Sequence, residues 1–267
     1  MPIATIRSNL SYKINSQAEM ILLIHASQNG AHTVLEENLE ISPPVNWRMF
    51  EDVRHKNRFI RFNVQSCEEL KITYNAKIEY QDTIHNHWHL DQMSIQDLPD
   101  HVLAYLLPSI YADSNVLVQM AERTFGFWET GYRRVKAIEQ WIYDNIQYES
   151  GCSDHLTKAT DVLVQRAGVC RDFAHLGIAL CRALGIPARI VVGYIEIEKF
   201  SPDFHAIFEA YLDGQWILFD ATRLAPVEKM VRIGTGVDAS YVAFATFYGD
   251  VELINIEPLI EYENNNF

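Results

Sequence analysis

Short apolar segments separated by turn residues occupy residues 3–82. Residues 69–80 alternate strictly between apolar and polar side chains, which is the period of a half-buried β-strand. Five similar segments precede it, at residues 9–14, 20–25, 33–38, 45–52 and 58–64. The pattern predicts an antiparallel β-sandwich of about 80–95 residues, and we assign residues 1–95 to this first domain.

Helical patterns follow. Residues 96–130 contain an apolar run and then a helix capped at Asp113-Ser114, so we interpret them as a connecting helical segment. Residues 131–146 predict an amphipathic helix, with Val135, Ile138, Trp141 and Ile142 on its inner face and Arg133, Lys136, Glu139 and Asp144 on its outer face. A shorter helix, capped by Thr157 or Thr160, is expected to end near residue 167.

The segment from Gly168 to Leu184 is apolar or small around most of its helical circumference, so it predicts a buried helix. Gly185 stands where a left-handed C-terminal cap is favoured, and Pro187 cannot continue the helix. Cys170 lies at or just before the first turn, where unpaired backbone N–H groups and the helix dipole favour a thiolate. The segment alone leaves a second interpretation open, because a free cysteine is commonly a small buried apolar residue.

Strands are predicted after this helix. Residues 188–195, 205–212 and 215–220 are rich in β-forming side chains, and the last two flank Asp213-Gly214, a strong hairpin signal. If Leu212 pairs with Gln215, His205 and Asp220 share a face of the hairpin as diagonal neighbours. An imidazole could then hydrogen-bond to a carboxylate.

Composition narrows the possible partners. The formal net charge of −13 argues against nucleic acid and against an anionic membrane surface. The start of the chain lacks a basic region followed by an apolar core, and its longest early apolar run, residues 20–24, is too short to span a bilayer. Four scattered cysteines are typical of reduced thiols. We therefore expect a cytoplasmic protein.

Cys170, His205 and Asp220 are the three residue types that nucleophilic catalysis by a thiol needs. The imidazole would take the thiol proton, and the carboxylate would fix the tautomer and stabilise the imidazolium. The backbone N–H of Cys170 is the natural first donor of an oxyanion hole. The second donor stays open among four side chains, Asn145, Gln147, Tyr148 and Gln165.

Four blocks of sequence carry a resemblance to a known family: G-V-C-R-D-F-A-H-L, A-L-C-R-A-L-G-I-P-A-R, D-F-H-A-I-F-E-A-Y-L and D-G-Q-W-I-L-F-D-A-T-R. They resemble the transglutaminase-like superfamily of papain-like cysteine enzymes, and within it the bacterial two-domain proteins with an amino-terminal β-sandwich. The resemblance implies an α+β fold in which the sandwich precedes a papain-like core, residues 131–267, of helices packed on an antiparallel sheet. It implies that Cys170 is the nucleophile, His205 the general base and then acid, and Asp220 the orienting carboxylate, with no metal or organic cofactor.

The chain departs from the superfamily pattern at three positions outside the triad. Ile207 stands where members usually have tryptophan, and Ile110 and Val237 stand where they usually have arginine. A missing arginine removes a carboxylate clamp. We therefore expect a less polar cleft than is usual, with no preference for acidic peptide amides.

Two groups of histidines and cysteines could be metal sites, but each has a simpler interpretation. Alternate histidines in His85-Asn86-His87-Trp88-His89 could face one metal, but no further ligand follows at suitable spacing, and a solvated linker is favoured. A zinc site of Cys152, His155, Cys170 and His175 would have loose spacing. We expect instead that His175 is a core or supporting histidine, that Asp172 caps the helix, and that Glu209 is solvated.

Two classes of function are carried forward. The leading hypothesis is a cysteine-dependent amide-bond enzyme that acts on a peptide or protein through a thioester, most simply by hydrolysis, as a peptidase, isopeptidase or amidase. Acyl transfer from protein glutamine to an amine uses the same triad, but it needs a cleft that excludes water. The alternative class is a binding module on the same fold that has lost turnover.

Overall fold

The amino-terminal part of the chain supplies three strands to each of two four-stranded antiparallel sheets, which pack around an apolar core. A computed structural model describes residues 2–28, 32–80, 86–127, 129–197 and 202–263. Each of the six predicted segments contributes a strand, and all six predictions are confirmed: β1 (Ile3–Ile14), β2 (Ala18–Leu22), β3 (His32–Ser42), β4 (Trp47–Glu51), β5 (Arg58–Val64) and β6 (Cys67–Tyr80). In the longest of them, the apolar members of the alternating pattern are buried, including Leu70, Ile72 and Tyr74.

Four helices and a second set of strands follow. Their bounds are α1 (Ser114–Phe125), α2 (Tyr132–Asn145), β7 (Gln147–Tyr148), α3 (Ala159–Gln165), β8 (Ala167–Gly168), α4 (Cys170–Ala183), β9 (Ala188–Tyr194), β10 (His205–Leu212), β11 (Gln215–Phe219), β12 (Val231–Gly236), β13 (Ala245–Tyr248) and β14 (Val251–Tyr262). Strands β11, β10, β9 and β12 form an antiparallel sheet in that order, and α4 packs against β10 and β9. The fold is therefore α+β, with helices on an antiparallel sheet, as expected.

The last two strands return to the sandwich. Strand β14 pairs with β1 from Ala4 opposite Tyr262 to Ile14 opposite Val251, and β13 pairs with β2. The sequence-based division placed these residues in the core domain, at 131–267, whereas the structure adds them to the two amino-terminal sheets. The physical reason is that β1 and β2 would otherwise each present an unpaired edge, a need that no local pattern near residue 250 reveals.

Side-chain and backbone hydrogen bonds join the sandwich to the core. The amide of Asn57 donates to the Thr235 carbonyl at 2.8 Å and accepts from the Thr235 N–H at 3.0 Å. The Tyr194 hydroxyl donates to the carbonyl of Ile24 at 2.6 Å. These contacts hold the loop before β5 and the segment that follows β2 against the core sheet.

The cap of the short helix α3 differs from its prediction. The helix begins after Lys158, whose N–H donates to the Asp161 carboxylate at 2.9 Å. Thr157 hydrogen-bonds to Asp154 instead, and the Thr160 hydroxyl donates to Asp113. Neither threonine caps the helix, because the side chain of each is hydrogen-bonded to an aspartate in a neighbouring loop.

Alanine at Gly177 is expected to destabilise the core by about 1–3 kcal/mol, even though alanine favours a helix by roughly 1 kcal/mol over glycine. An added Cβ would lie 2.5 Å from Cε1 of Phe208, whose buried ring is stacked on Phe219 and cannot retreat. Urea unfolding of Gly177→Ala would measure the loss. The same substitution in a Phe208→Leu background is the control, and an equal cost in both backgrounds would show that the ring contact is not its cause.

Candidate active site

Cys170 is the first residue of α4, and an aspartate in the same turn fixes that end of the helix. The carboxylate of Asp172 accepts the Val169 N–H at 2.9 Å and the Ser153 hydroxyl at 2.5 Å. Asp172 is fully buried, so the prediction that it caps the helix is confirmed. The opposite end is also as expected, since Gly185 adopts a φ of 74° after the helix. The thiol is thus presented at the positive end of a well-anchored helix dipole.

His205 and Asp220 are brought together by the hairpin. Leu212 pairs with Gln215 and Phe208 with Phe219, which is the predicted register. Asp213 and Gly214 both have positive φ, 43° and 82°, as this two-residue turn requires. The Nε2 atom of His205 lies 2.9 Å from Oδ2 of Asp220, and both residues are buried.

The second ring nitrogen of His205 faces different surroundings. Its Nδ1 atom is buried, and the His205 ring and Cys170 line one cavity together. Burial by itself lowers the pKa of the imidazole, but the Asp220 hydrogen bond and the neighbouring Cys170 outweigh it and raise the pKa to about 10. The environment therefore favours imidazolium, which is the protonation state that an ion pair with a thiolate needs.

Asp220 is held by two residues that sequence reasoning missed. Its Oδ1 accepts the Thr222 N–H at 2.9 Å and the Thr222 hydroxyl at 2.7 Å. Its own N–H donates to Oε1 of Glu139 at 3.1 Å. Glu139 was expected on the outer face of α2 and is instead buried, with its pKa raised chiefly by burial. That prediction was wrong, because Glu139 has a partner at the end of the hairpin.

A cavity of about 540 Å³ opens in front of Cys170 and His205. It lies where the sandwich meets the core, since both contribute to its wall. Its apolar lining includes Leu23, Ile190, Val192, Ile233, Val242 and Phe244. Its charged lining includes two carboxylates, Asp154 and Asp203, and one guanidinium, Arg171, which already donates to the Asp154 carbonyl at 2.6 Å. The walls are therefore largely apolar, and the Arg171 guanidinium is already engaged.

Comparison with known proteins decides the family. The profile of the transglutaminase-like superfamily matches residues 118–221, and that of the amino-terminal domain of bacterial transglutaminases matches residues 4–101. A crystal structure described as "a Putative Cysteine Protease from Cytophaga hutchinsonii" shares 38% sequence identity and has a TM-score of 0.93. The match covers 100% of this chain and 92% of that one. The chain belongs to the transglutaminase-like superfamily.

Two mycobacterial relatives match over shorter lengths. An uncharacterized protein of Mycobacterium leprae is 28% identical over 161 residues, which are 58% of this chain and 57% of that protein. One of Mycobacterium tuberculosis is 46% identical over 54 residues, 20% of this chain and 17% of the relative. The chain therefore spans little more than half of the longer-matching curated relative, and less of the other.

The three departures from the superfamily pattern lie away from the cavity lining. Ile110 is 65% exposed. Val237 packs with Leu98 and Val102, and Ile207 packs with Val191 in a separate buried cluster. The lining is largely apolar, but these three side chains do not supply it, and the expectation of a cleft less polar than is usual stays a prediction.

Glu209 and His175 are both buried. Glu209 was expected to be solvated, which is wrong: its carboxylate contacts Arg189 at 2.5 Å and Arg232 at 2.7 Å. His175, in contrast, is the supporting core histidine that was expected. Its Nε2 accepts the Ala239 N–H at 3.2 Å, and its ring is stacked on Tyr111 with centroids 5.1 Å apart.

The histidine segment before the core falls partly outside the described residues, since His85 is not among them. His87 and Trp88 pack against the ring of Tyr132, at 5.7 and 5.2 Å between centroids. Within the described ranges, no group of three potential metal ligands is found. No helix in that same part of the chain has the length and apolar character needed to cross a bilayer. All four cysteines are free thiols, as predicted.

Proposed function

We propose that this member of the transglutaminase-like superfamily is a cysteine-dependent enzyme that hydrolyses an amide bond in a peptide or protein. The single observation that carries the proposal is the buried His205–Asp220 hydrogen bond of 2.9 Å beside a cavity shared with Cys170. A nucleophile, a base within reach of it and a group that orients the base are the parts that acyl transfer through a thioester needs. The roles of the three residues are those predicted from the sequence.

The proposed reaction begins from a Cys170 thiolate and a His205 imidazolium. The sulfur attacks the amide carbon, a C–S bond forms, and the carbonyl electron pair moves to oxygen. As the C–N bond breaks, the imidazolium gives its proton to the leaving amine, and a thioester remains. His205 then takes a proton from water, whose oxygen attacks the thioester and releases the acid. The thiolate leaves, and the imidazolium carries the proton.

The lining of the cavity favours a substrate whose acyl group carries no charge. Two carboxylates line it, whereas the Arg171 guanidinium is already hydrogen-bonded to the protein. An acidic acyl group would therefore meet repulsion without a free cationic partner. Apolar side chains would bury surface against Val242 and Phe244. Peptide amides with apolar or neutral residues are proposed as the better substrates.

Incubation with a library of peptide amides, followed by intact-protein mass spectrometry, is expected to show a covalent acyl adduct on wild-type protein. Cys170→Ala should form none, and Cys67→Ala, which removes another partly exposed thiol, should acylate normally. Neutral peptides should react faster than acidic ones. Acylation that survives in Cys170→Ala, or a strong preference for acidic peptides, would contradict the assignment.

The same experiment separates the alternatives. With an added primary amine, hydrolysis yields free acid, whereas a transglutaminase yields the amide of the added amine. A binding module would show peptide retention without an adduct, together with slow iodoacetamide alkylation of Cys170 that has no acid shoulder in its pH profile. The enzyme proposal requires both the covalent acyl adduct and an acid shoulder in the pH profile of Cys170 alkylation.

A further inference from the structure

A short strand pair places Tyr148 next to the nucleophile. Strand β7 runs parallel to β8 with Tyr148 opposite Gly168, two residues before Cys170. The Glu149 N–H donates to the Gly168 carbonyl at 3.0 Å and fixes this register. The Tyr148 ring packs on Phe173 of α4, with centroids 5.9 Å apart. Both the backbone and the ring of Tyr148 are thus tied to the start of the helix that carries Cys170.

The Tyr148 hydroxyl is in direct contact with Cys170. It lies within hydrogen-bonding range of both the backbone N–H and the side chain of Cys170. The three other candidate donors differ, because Asn145, Gln147 and Gln165 all have exposed side chains. The Asn145 amide is also occupied, since it donates to the Trp141 carbonyl at 2.8 Å. Of the four candidates, Tyr148 is the one that reaches the thiol.

We propose that the Tyr148 hydroxyl is the second donor of the oxyanion hole and acts beside the backbone N–H of Cys170. The assignment rests on the proposed acyl chemistry and names a catalytic residue for it. In the free enzyme of this scheme, the sulfur of Cys170 holds the negative charge of the thiolate. When the C–S bond forms, that charge moves to the carbonyl oxygen next to the Cys170 N–H. The Tyr148 hydroxyl and the Cys170 N–H then both donate to the oxyanion.

The phenol keeps its proton throughout this cycle. Burial, followed by the charge of the nearby Cys170, raises the pKa of Tyr148 well above its ordinary value of 10. The group is therefore a hydrogen-bond donor, and not a general base, at neutral pH. The effect of the hydroxyl should appear in the step that creates an oxyanion and not in reactions of the sulfur that create none.

Two reactions of Cys170 test this difference. Acylation by N-acetyl-phenylalanine p-nitrophenyl ester passes through a tetrahedral oxyanion, whereas alkylation by iodoacetamide does not. Tyr148→Phe keeps the ring contact with Phe173 and is expected to slow acylation by about 10²–10³-fold, with the alkylation rate at pH 7 changed by less than about 3-fold. Tyr143→Phe is the matched control, since it removes the hydroxyl of an exposed tyrosine on α2, and both its rates should equal those of the wild type.

The outcomes are distinct. Unchanged acylation in Tyr148→Phe, or equal losses of acylation and alkylation, would overturn the oxyanion assignment, the second by showing that the hydroxyl only holds the thiolate. A wild-type protein that the ester acylates no faster than Cys170→Ala would instead refute the proposed function itself. Circular dichroism of each variant establishes that the fold is retained.

Discussion

Replacing Asp220 with asparagine is expected to lower the rate of Cys170 acylation toward the roughly 10⁴-fold loss known for the equivalent change in serine triads. The amide has nearly the same shape as the carboxylate, so the hydrogen bonds from Thr222 can persist. However, it carries no negative charge and can present its NH₂ group to the imidazole. Both changes disfavour the imidazolium that protonates the leaving amine.

The pH dependence of this variant gives a second readout. Asp220 is one of the groups that raise the pKa of His205 to about 10, against the lowering caused by burial. Without that charge, the imidazolium loses its proton at lower pH. The descending limb of the acylation profile of Asp220→Asn should therefore move below that of the wild type, which is expected near pH 10.

A matched control is available on the neighbouring helix. Asp144→Asn changes an exposed carboxylate whose partner is Gln140, and it should leave both rate and profile unaltered. If Asp220→Asn retained the wild-type profile, the carboxylate would not govern the charge of His205. The orienting role would then be wrong even if the overall rate had fallen.

The parts of the site that were predictable are those set by local sequence. The Asp213-Gly214 turn fixes the register of β10 and β11, and this alone brings His205 to Asp220. The cap of α4 likewise follows from a short segment, in which Asp172 stands three residues after Val169. Such features depend on residues that are neighbours in the chain, so a sequence pattern contains them.

Glu139 shows how a pattern can be misread. It lies four residues after Val135 and three before Ile142, which is the spacing of the buried face of α2. Its charge argued for the outer face, yet it is buried because the Asp220 N–H donates to it. A carboxylate at an apolar position of a helix was the available signal for a polar contact beneath it.

Glu209 and β14 could not be placed without the order of the strands. Arg189 lies directly across from Glu209 on β9, and Arg232 comes from β12 on the far side of β9. Strand β14 finds its partner more than 230 residues away in sequence, where Asn255 pairs with Ser11. Such pairings depend on which edges remain open once the sheets have formed. The chemical roles, the peptide substrate and the cytoplasmic location stay predictions.

Replacing Arg182 with methionine is expected to lower the free energy of unfolding by about 3–5 kcal/mol, because three buried carbonyl oxygens would each lose a donor at a cost of about 1–3 kcal/mol. The guanidinium is buried and joins three separate segments. It donates to the Leu107 carbonyl at 3.0 Å, to the Ala188 carbonyl at 2.9 and 3.0 Å, and to the Val237 carbonyl at 2.6 Å. Methionine fills a similar volume but leaves these carbonyl oxygens without donors.

A second substitution, Arg182→Lys, separates the effect of the Arg182 hydrogen bonds from the effect of its charge. Burial lowers the pKa of Arg182 to about 10, and nearby Asp238 partly opposes this effect. The group therefore remains charged at neutral pH, and Arg182→Lys keeps the charge. Because an ammonium cannot reproduce the planar fork, we expect the lysine variant to lose stability as well, but less than the methionine variant.

Urea unfolding at pH 7 would measure both losses, and Arg133→Met provides the baseline. Arg133 is exposed and pairs with Glu129 one turn away, so its replacement should cost less than about 1 kcal/mol. If Arg182→Met were as stable as the wild type, the hydrogen bonds of Arg182 would not contribute to stability as proposed. A large loss also has a functional consequence, because the Val237 carbonyl precedes Ala239 and Ser240 in the cavity wall. Residual acylation by the methionine variant should therefore fall at lower temperature than that of the wild type.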